Sequence, residues 1–313
     1  MPTESAASAV QHLATLAAVF AFVWGTCWGS FLNVVIHRLP QDLSVVHPGS
    51  RCGTCGTAIR WFDNLPILSY LLLRGRCRAC GTAYSPRYML VEAACGVISL
   101  YIFRSMVDLT DADALLWGLA WWGAWQVFAY ALVAIAFIDL EHTIVPLELT
   151  IPPALLGLVV AFVFPNGLGT EALWGLAGGA GFLLFIVGLG YLLFRREAMG
   201  MGDVHILGMT GLWLGWRALP FVILASSLQA LFAVALARLY RAVTGKADTL
   251  TMSTQALDER FDEVEKHDGL PSHTVIPYGP FLALAALEGM LFGTDAFWWL
   301  VDRIFKALTD TNA

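Results

Sequence analysis

Long apolar stretches recur along this chain from about residue 11 to residue 298, separated by shorter polar ones. A stretch of roughly 20 apolar residues can span a bilayer as a helix, and in lipid only a helix or a closed barrel satisfies the backbone hydrogen bonds. The pattern predicts eight transmembrane helices, at 11–36, 88–106, 115–138, 147–165, 171–194, 203–219, 220–240 and 277–298. We therefore predict an all-α polytopic membrane protein.

Two longer polar segments interrupt the predicted helices. Residues 37–87 are rich in Arg, Cys, Gly and Pro, whereas residues 241–275 are polar and acidic. We interpret the first segment as a small domain on one membrane face and the second as a loop on the same face. These boundaries divide the chain into five parts: 1–36, 37–87, 88–114, 115–298 and 299–313.

Composition and charge agree with this interpretation. Hydrophobic residues make up 58% of the chain and charged residues only 13%, against about 25% charged residues in soluble domains. Cytoplasmic loops carry an excess of Lys and Arg, so we place 37–87 in the cytoplasm and both termini outside. All but four of the 18 Lys and Arg residues are then cytoplasmic; the four are Arg104, Arg217, Arg303 and Lys306. Lipid is the expected environment, and no nucleic-acid partner is expected.

Two aspartates lie where apolar stretches meet the predicted cytoplasmic face. Asp139 ends the third predicted helix, and Asp203 opens the sixth, just after Gly200 and Gly202. A carboxylate in or at the edge of a bilayer is costly, so by default it serves a function. Two carboxylates that meet titrate together, one keeping its proton while the other ionises. Such a pair suits aspartic proteolysis, in which one group draws a proton from water and the other protonates the carbonyl oxygen.

Other interpretations of this region stay open. Both aspartates could be interface acids that end helices. Glu141 and His142 are rival acid–base candidates, although we expect both to be solvated in the cytoplasmic turn. His205 is either a cation that keeps the nearby acid ionised or a polar residue facing the bundle interior. Gly200 and Gly202 have no side chain, so another helix or an extended peptide can approach their backbone closely.

The segment 37–87 contains two CxxC pairs, formed by Cys52, Cys55, Cys77 and Cys80. Each pair is followed by Gly-Thr, and four thiolates with this spacing suit a tetrahedral, structural Zn²⁺. Two disulfides or a redox pair are the alternative, which a cytoplasmic location disfavours. Residues 61–71, between the pairs, are apolar but too short to span, so we expect them to pack under the cysteine site or along the membrane face. Cys27 and Cys95 are interpreted as small apolar residues within spans.

These motifs together resemble the prepilin peptidases, which are bifunctional leader peptidases and N-methyltransferases of type IV pili and type II secretion. The resemblance covers nearly the whole chain. It rests on the two CxxC pairs and on residues 29–40, 85–92, 137–146, 200–204 and 276–281. Two features depart from the family pattern: His205 stands where the family usually has Lys, and 241–275 is longer than expected.

The resemblance implies an activity that spacing and periodicity do not show. It implies an aspartic peptidase in a bacterial inner membrane, with Asp139 and Asp203 catalytic and facing the cytoplasm. The substrates would be prepilins and pseudopilins, cleaved after a short basic leader. It also implies methylation of the new N-terminal amine, with S-adenosylmethionine as donor and Glu92 as a candidate for binding the donor or that amine.

Two other classes of protein compete with this interpretation. A proton-coupled transporter also uses acids inside the membrane, but it should carry inverted repeats and broken helices at the midplane. A membrane-anchored zinc adaptor would use the cysteine segment to bind partners, and would leave the two aspartates without a purpose.

Overall fold

The computed structural model of the chain describes residues 4–195, 200–244, 252–253, 274–275 and 277–310. Ten α-helices lie in these residues: α1 (Glu4–Arg38), α2 (Leu68–Leu72), α3 (Arg87–Met106), α4 (Ala112–His142), α5 (Ile151–Val163), α6 (Thr170–Phe194), α7 (Met201–Leu214), α8 (Leu219–Thr244), α9 (Gly279–Phe292) and α10 (Asp295–Asp310). Short 3-10 helices occupy Leu39–Gln41, Trp61–Asp63, Leu147–Leu149 and Trp216–Ala218.

The predicted loop 241–275 lies mostly outside the described residues. Its first residues continue α8 to Thr244. Two short strands, β1 (Met252–Ser253) and β2 (Thr274–Val275), pair antiparallel with Met252 opposite Val275.

Five of the described helices are long and apolar enough to cross a membrane, namely α1, α3, α4, α6 and α8. The bent pair α9 and α10 adds a sixth candidate if it is counted as one span. In contrast, α5 and α7 have 13 and 14 residues, about 20 Å of helix against a hydrocarbon core of about 30 Å. The predicted helical, multi-pass architecture is confirmed, whereas the count of eight spans is not.

The last predicted span, 277–298, is not one helix. It breaks at Gly293, whose φ of 71° is left-handed, and α10 leaves α9 at an angle of 96°. Trp298 Nε1 donates to the Arg217 carbonyl at 3.1 Å, so α10 turns back beside the start of α8. The mean hydropathy of residues 277–298 did not reveal this break, because a glycine in the left-handed conformation can end a helix without lowering the hydropathy.

Close helix pairs form where small residues face each other. Helices α6 and α7 cross at Gly175 and Gly211, where a Cβ on Gly175 would lie only 2.0 Å from the Gly211 carbonyl oxygen. Helices α1 and α3 are joined by Ser99, whose hydroxyl donates to the Ala21 carbonyl at 2.6 Å. Packing of small residues and hydrogen bonds between helices are the main sources of helix association in lipid.

The helix order gives the bundle two distinct ends. The last turn of α4 meets the starts of α3, α7 and α9 at one end, which we call the site end. At the opposite end the Tyr101 hydroxyl, near the end of α3, donates to the carbonyl of Leu291 near the end of α9. Arg104 and Arg217 belong to this opposite end, away from Asp139.

Candidate active site and cysteine centre

Asp139 lies in the last turn of α4, and its side chain is buried. The helix ends because Thr143 adopts a left-handed conformation (φ 56°) and its N–H donates to the Asp139 carbonyl at 2.8 Å. An αL residue at this position is a common way to stop a helix. The acid is thereby fixed at the site end of the bundle.

Asp203 lies in the first turn of α7 and is also buried. Gly200, with extended backbone, precedes the helix. An acidic side chain is favoured at a helix N-terminus, because the exposed N–H groups there carry partial positive charge.

The structure brings Asp139 and Asp203 together, near enough for their charges to interact. The start of α9 closes the site from a third side, where the Gly279 backbone N–H faces the Asp139 carboxylate. A Cβ on Gly279 would lie 2.5 Å from Asp139 Oδ2. Gly279 was not among the predicted site residues, although it falls within one of the motifs, 276–281, that carry the family resemblance.

The two glycines before Asp203 have different surroundings. A Cβ on Gly202 would lie 2.6 Å from Val145 Cγ2, so the loop after α4 already fills the space beside it. Among the described residues, a Cβ on Gly200 would meet only the Gly202 nitrogen, at 4.0 Å. The close approach predicted at both glycines therefore occurs at Gly202, with a residue of the same chain, and not at Gly200 within the part of the chain that the structure describes.

Tyr278 fixes the start of α9 against α8. Its hydroxyl is hydrogen-bonded to the hydroxyls of Ser226, at 2.7 Å, and Ser227, at 3.1 Å. Because Tyr278 directly precedes Gly279, this anchor determines where α9 meets Asp139. A hydrophobicity pattern contains no signal for such a contact between distant segments.

Glu141 and His142, predicted to be solvated, are solvated only in part. Both are half-buried, and Glu141 forms an ion pair with Arg87 at the start of α3. This ion pair joins the last turn of α4 to the start of α3. His205 is half-buried, two residues after Asp203.

The four predicted cysteines converge on one point. Their sulfur atoms all lie within 4.8 Å of one another, and Cys52 Sγ is 3.8 Å from Cys80 Sγ. Sulfur atoms bound to one tetrahedral zinc at about 2.3 Å would be roughly 3.8 Å apart. The geometry therefore fits a four-coordinate metal ion.

The two CxxC turns have the same local structure. Cys52 N–H donates to the Thr57 carbonyl, and Cys77 N–H donates to the Thr82 carbonyl, at 2.9 and 2.8 Å. The backbone N–H groups of Cys55 and then Thr54 face the Cys52 sulfur and lower its pKa to about 6. A thiolate is the form that binds a metal, so the lowered pKa favours the metal-binding form of Cys52.

Glu92 is buried in α3 and binds the cysteine segment. Its Oε2 accepts a hydrogen bond from the Ile67 N–H at 2.7 Å, and the Ser30 hydroxyl is also hydrogen-bonded to it. Asn33, on α1, donates to the Tyr88 carbonyl at 3.0 Å, while its buried Oδ1 has no partner within the described residues. Glu92 and Asn33 thus place two acceptor side chains between α1 and α3.

Family comparisons agree with this arrangement. The bacterial peptidase A24 N-terminal domain matches residues 23–106, and the type IV leader peptidase family matches residues 126–235. The chain belongs to the type IV leader peptidase family. The second match includes both candidate aspartates, and the first includes the four cysteines and Glu92. No solved structure matches the chain.

Three curated relatives are each named prepilin leader peptidase/N-methyltransferase. The one from Myxococcus xanthus is 37% identical over 90% of this chain and 92% of the relative. Those from Stutzerimonas stutzeri and Pseudomonas aeruginosa are 33% and 32% identical, over 87% and 86% of this chain and 90% and 88% of the relatives. These relatives do not support the alternative of a proton-coupled transporter.

Proposed function

We propose that this protein cleaves the leader peptide from type IV prepilins and pseudopilins and methylates the new N-terminal residue. The main support for peptidase activity is that Asp139 and Asp203, two buried acids from separate helices, lie near each other in a chain of the leader peptidase family. The near-full-length similarity to prepilin leader peptidase/N-methyltransferases supports both activities.

In the proposed cleavage step, the ionised member of the pair takes a proton from a water molecule as the water attacks the scissile carbonyl carbon. The protonated member donates to the carbonyl oxygen, giving a tetrahedral intermediate. That intermediate collapses when the leaving amine takes up a proton. The Gly279 N–H orients the Asp139 carboxylate toward this reaction, and Gly202 lets Val145 pack beside Asp203.

We place the site end of the bundle at the cytoplasmic face of a bacterial inner membrane. The arginine-rich segment 37–87 ends at Arg87, which pairs with Glu141 at the site end, and an excess of basic residues favours the cytoplasmic side for both. The apolar helix of the substrate docks laterally between spans, its basic leader stays in the cytoplasm, and the junction reaches the two acids.

For the second reaction, S-adenosylmethionine supplies the methyl group when bound. Glu92 and Asn33 would hold the donor or the pilin amine, because buried acceptor oxygens suit positively charged ligands. Both residues lie in the part of the chain before α4. We therefore assign methyl transfer to residues 1–114 and cleavage to 115–298.

We propose that Cys52, Cys55, Cys77 and Cys80 hold one structural Zn²⁺. Four thiolates complete a tetrahedral shell and leave no open position for a reacting water. The ion would fix segment 37–87 against the start of α3.

The test uses purified full-length protein and a synthetic prepilin peptide, with and without S-adenosylmethionine, read by mass spectrometry. We expect loss of the leader mass in both samples and addition of one methyl group only with the donor. An intact peptide in both, with protein that remains folded, would rule out the proposed function.

A further inference from the structure

The segment between the two CxxC pairs has an inner face that is fixed by hydrogen bonds. The Ser69 hydroxyl accepts from the Leu65 N–H at 2.9 Å and donates to the Phe62 carbonyl at 3.1 Å. Ser69 is buried, and the half-buried Tyr70 donates to the Tyr84 carbonyl at 3.5 Å. The short helix α2 therefore cannot turn its other face inward.

That other face is apolar and exposed. Leu68, Leu71 and Leu72 lie on one side of α2, as residues three and four apart do, and their exposures are 58%, 58% and 80%. Trp61, in the 3-10 helix that precedes α2 along the chain, is 78% exposed. Contiguous exposed apolar patches are rare on surfaces that contact only water, and they usually mark an interaction with protein or membrane.

The orientation of this face relative to the membrane helices is fixed as well. Ile67 adopts a positive φ of 62°, which is a strained conformation for a β-branched residue. Its N–H is held by Glu92, which lies within the candidate span α3. Candidate spans α1 and α3 also flank the segment on both sides, so the segment is held where these two helices end.

The positive charge around this face indicates which kind of surface it contacts. Segment 37–87 contains seven arginines and two aspartates. Arg60, Arg74 and Arg76 are exposed around α2, whereas Arg78 is paired with Asp63 at 2.6 Å. Exposed arginines beside Leu and Trp match the composition of segments that lie in the interface of anionic membranes. The same positive charge would repel a basic leader peptide.

We propose that Trp61, Leu68, Leu71 and Leu72 form an interfacial anchor in an anionic leaflet, with Arg60, Arg74 and Arg76 bound to lipid phosphates. The anchor holds the cysteine centre against the membrane beside the site end. That this leaflet is the cytoplasmic one rests on the proposed function; the contact with lipid does not.

The experiment places a photocrosslinking residue, p-benzoylphenylalanine, at Leu72 in the full-length protein reconstituted in nanodiscs. The matched control carries the same residue at Thr54, which is exposed in the first CxxC turn. After irradiation, peptide mass spectrometry identifies what each position captured. We expect acyl-chain adducts at 72, in severalfold higher yield than at 54, and a higher yield in phosphatidylglycerol than in phosphatidylcholine.

A second variant tests the arginines. Replacing them together (Arg60→Gln, Arg74→Gln, Arg76→Gln) in the Leu72 probe protein should lower the phosphatidylglycerol yield to the phosphatidylcholine yield. Equal lipid capture at 72 and 54 would overturn the anchor, as would capture only of a second copy or of an added prepilin peptide. Unchanged capture in the arginine variant would overturn the anionic preference. Crosslinking needs no turnover, so an inactive protein that still captures lipid would count against the proposed function alone.

Discussion

Arg87 and Glu141 form an ion pair that joins the start of α3 to the last turn of α4. Glu141 follows Asp139 by two residues, so the pair connects the part of the chain that carries the cysteine centre with the candidate catalytic acids. The Arg87 guanidinium also lies 5.2 Å from the centre of the Tyr88 ring. The side chains of Arg87 and Glu141 are 16% and 38% exposed, so solvent screens part of the attraction between them.

We expect Arg87→Glu to lower cleavage roughly fivefold, because loss of a coupling of about 1 kcal/mol would let the end of α4 shift. The exchanged pair, Arg87→Glu with Glu141→Arg, should recover part of that loss. Initial cleavage rates at saturating and limiting prepilin would separate kcat from KM. Arg104→Glu, at the opposite end, is the control. Strictly additive losses in the exchanged pair would show that the two residues do not act through each other.

The sequence was sufficient to predict Asp139 and Asp203 as a pair. Asp139 ends one apolar stretch and Asp203 begins another, and a count of basic residues placed both on one face. The cysteine cluster was equally accessible, because the CxxC spacing acts locally. Gly279 and the Arg87–Glu141 pair could not be found this way, since their partners lie far away in the chain and depend on how the helices pack. The break at Gly293 was missed for a different reason. A mean hydropathy over 277–298 stays high whether or not one glycine within it interrupts the helix.

The two acids should be equally necessary for cleavage. Asp139→Asn and Asp203→Asn keep the size of each side chain and remove its acid, so either should lower the cleavage rate by orders of magnitude. Asp295→Asn, exposed at the opposite end of the bundle, should leave it unchanged. The measurement is leader release by mass spectrometry, with thermal melting to show that each variant is folded. Cleavage like that of the unmodified protein in either dyad variant would refute the assignment.

Metal content offers a test of the cysteine centre. Elemental analysis should find about one zinc per chain. Cys52→Ser with Cys55→Ser should release it, whereas Cys27→Ser, in α1, should not. Protons compete with the metal for thiolates. The N–H groups of Cys55 and Thr54 lower the pKa of Cys52 to about 6, so this ligand is ionised at neutral pH and zinc should be retained there and lost in acid. Full retention in the double variant would contradict the site.

The two activities should be separable. Asp203→Asn should still methylate a pilin peptide that has already lost its leader, because Glu92 and Asn33 lie on α3 and α1. Glu92→Gln should lower methylation of the same peptide while cleavage of the full prepilin is affected less. Transfer of a radiolabelled methyl group gives the readout. Loss of methylation in a folded, zinc-replete Asp203→Asn protein would instead indicate one shared site.

Gly279 lies so close to Asp139 that adding a single methyl group there tests whether α9 positions this acid. In Gly279→Ala, the new Cβ would lie 2.5 Å from Asp139 Oδ2 and 3.1 Å from its Cγ, so either the carboxylate or the start of α9 must move. A shift of that size at a catalytic group costs about 100-fold in rate.

On the same helix, Gly289→Ala would meet Leu214 Cδ1 at 3.4 Å, an ordinary contact. Gly→Ala favours a helix interior by up to about 1 kcal/mol. Gly289 lies in the interior of α9 and Gly279 is its first residue, so a general effect on helix stability would be at least as large in Gly289→Ala. We therefore expect cleavage to be lost only in Gly279→Ala, with methylation of a precleaved peptide retained in both. Equal cleavage by the two variants would mean that α9 does not position Asp139.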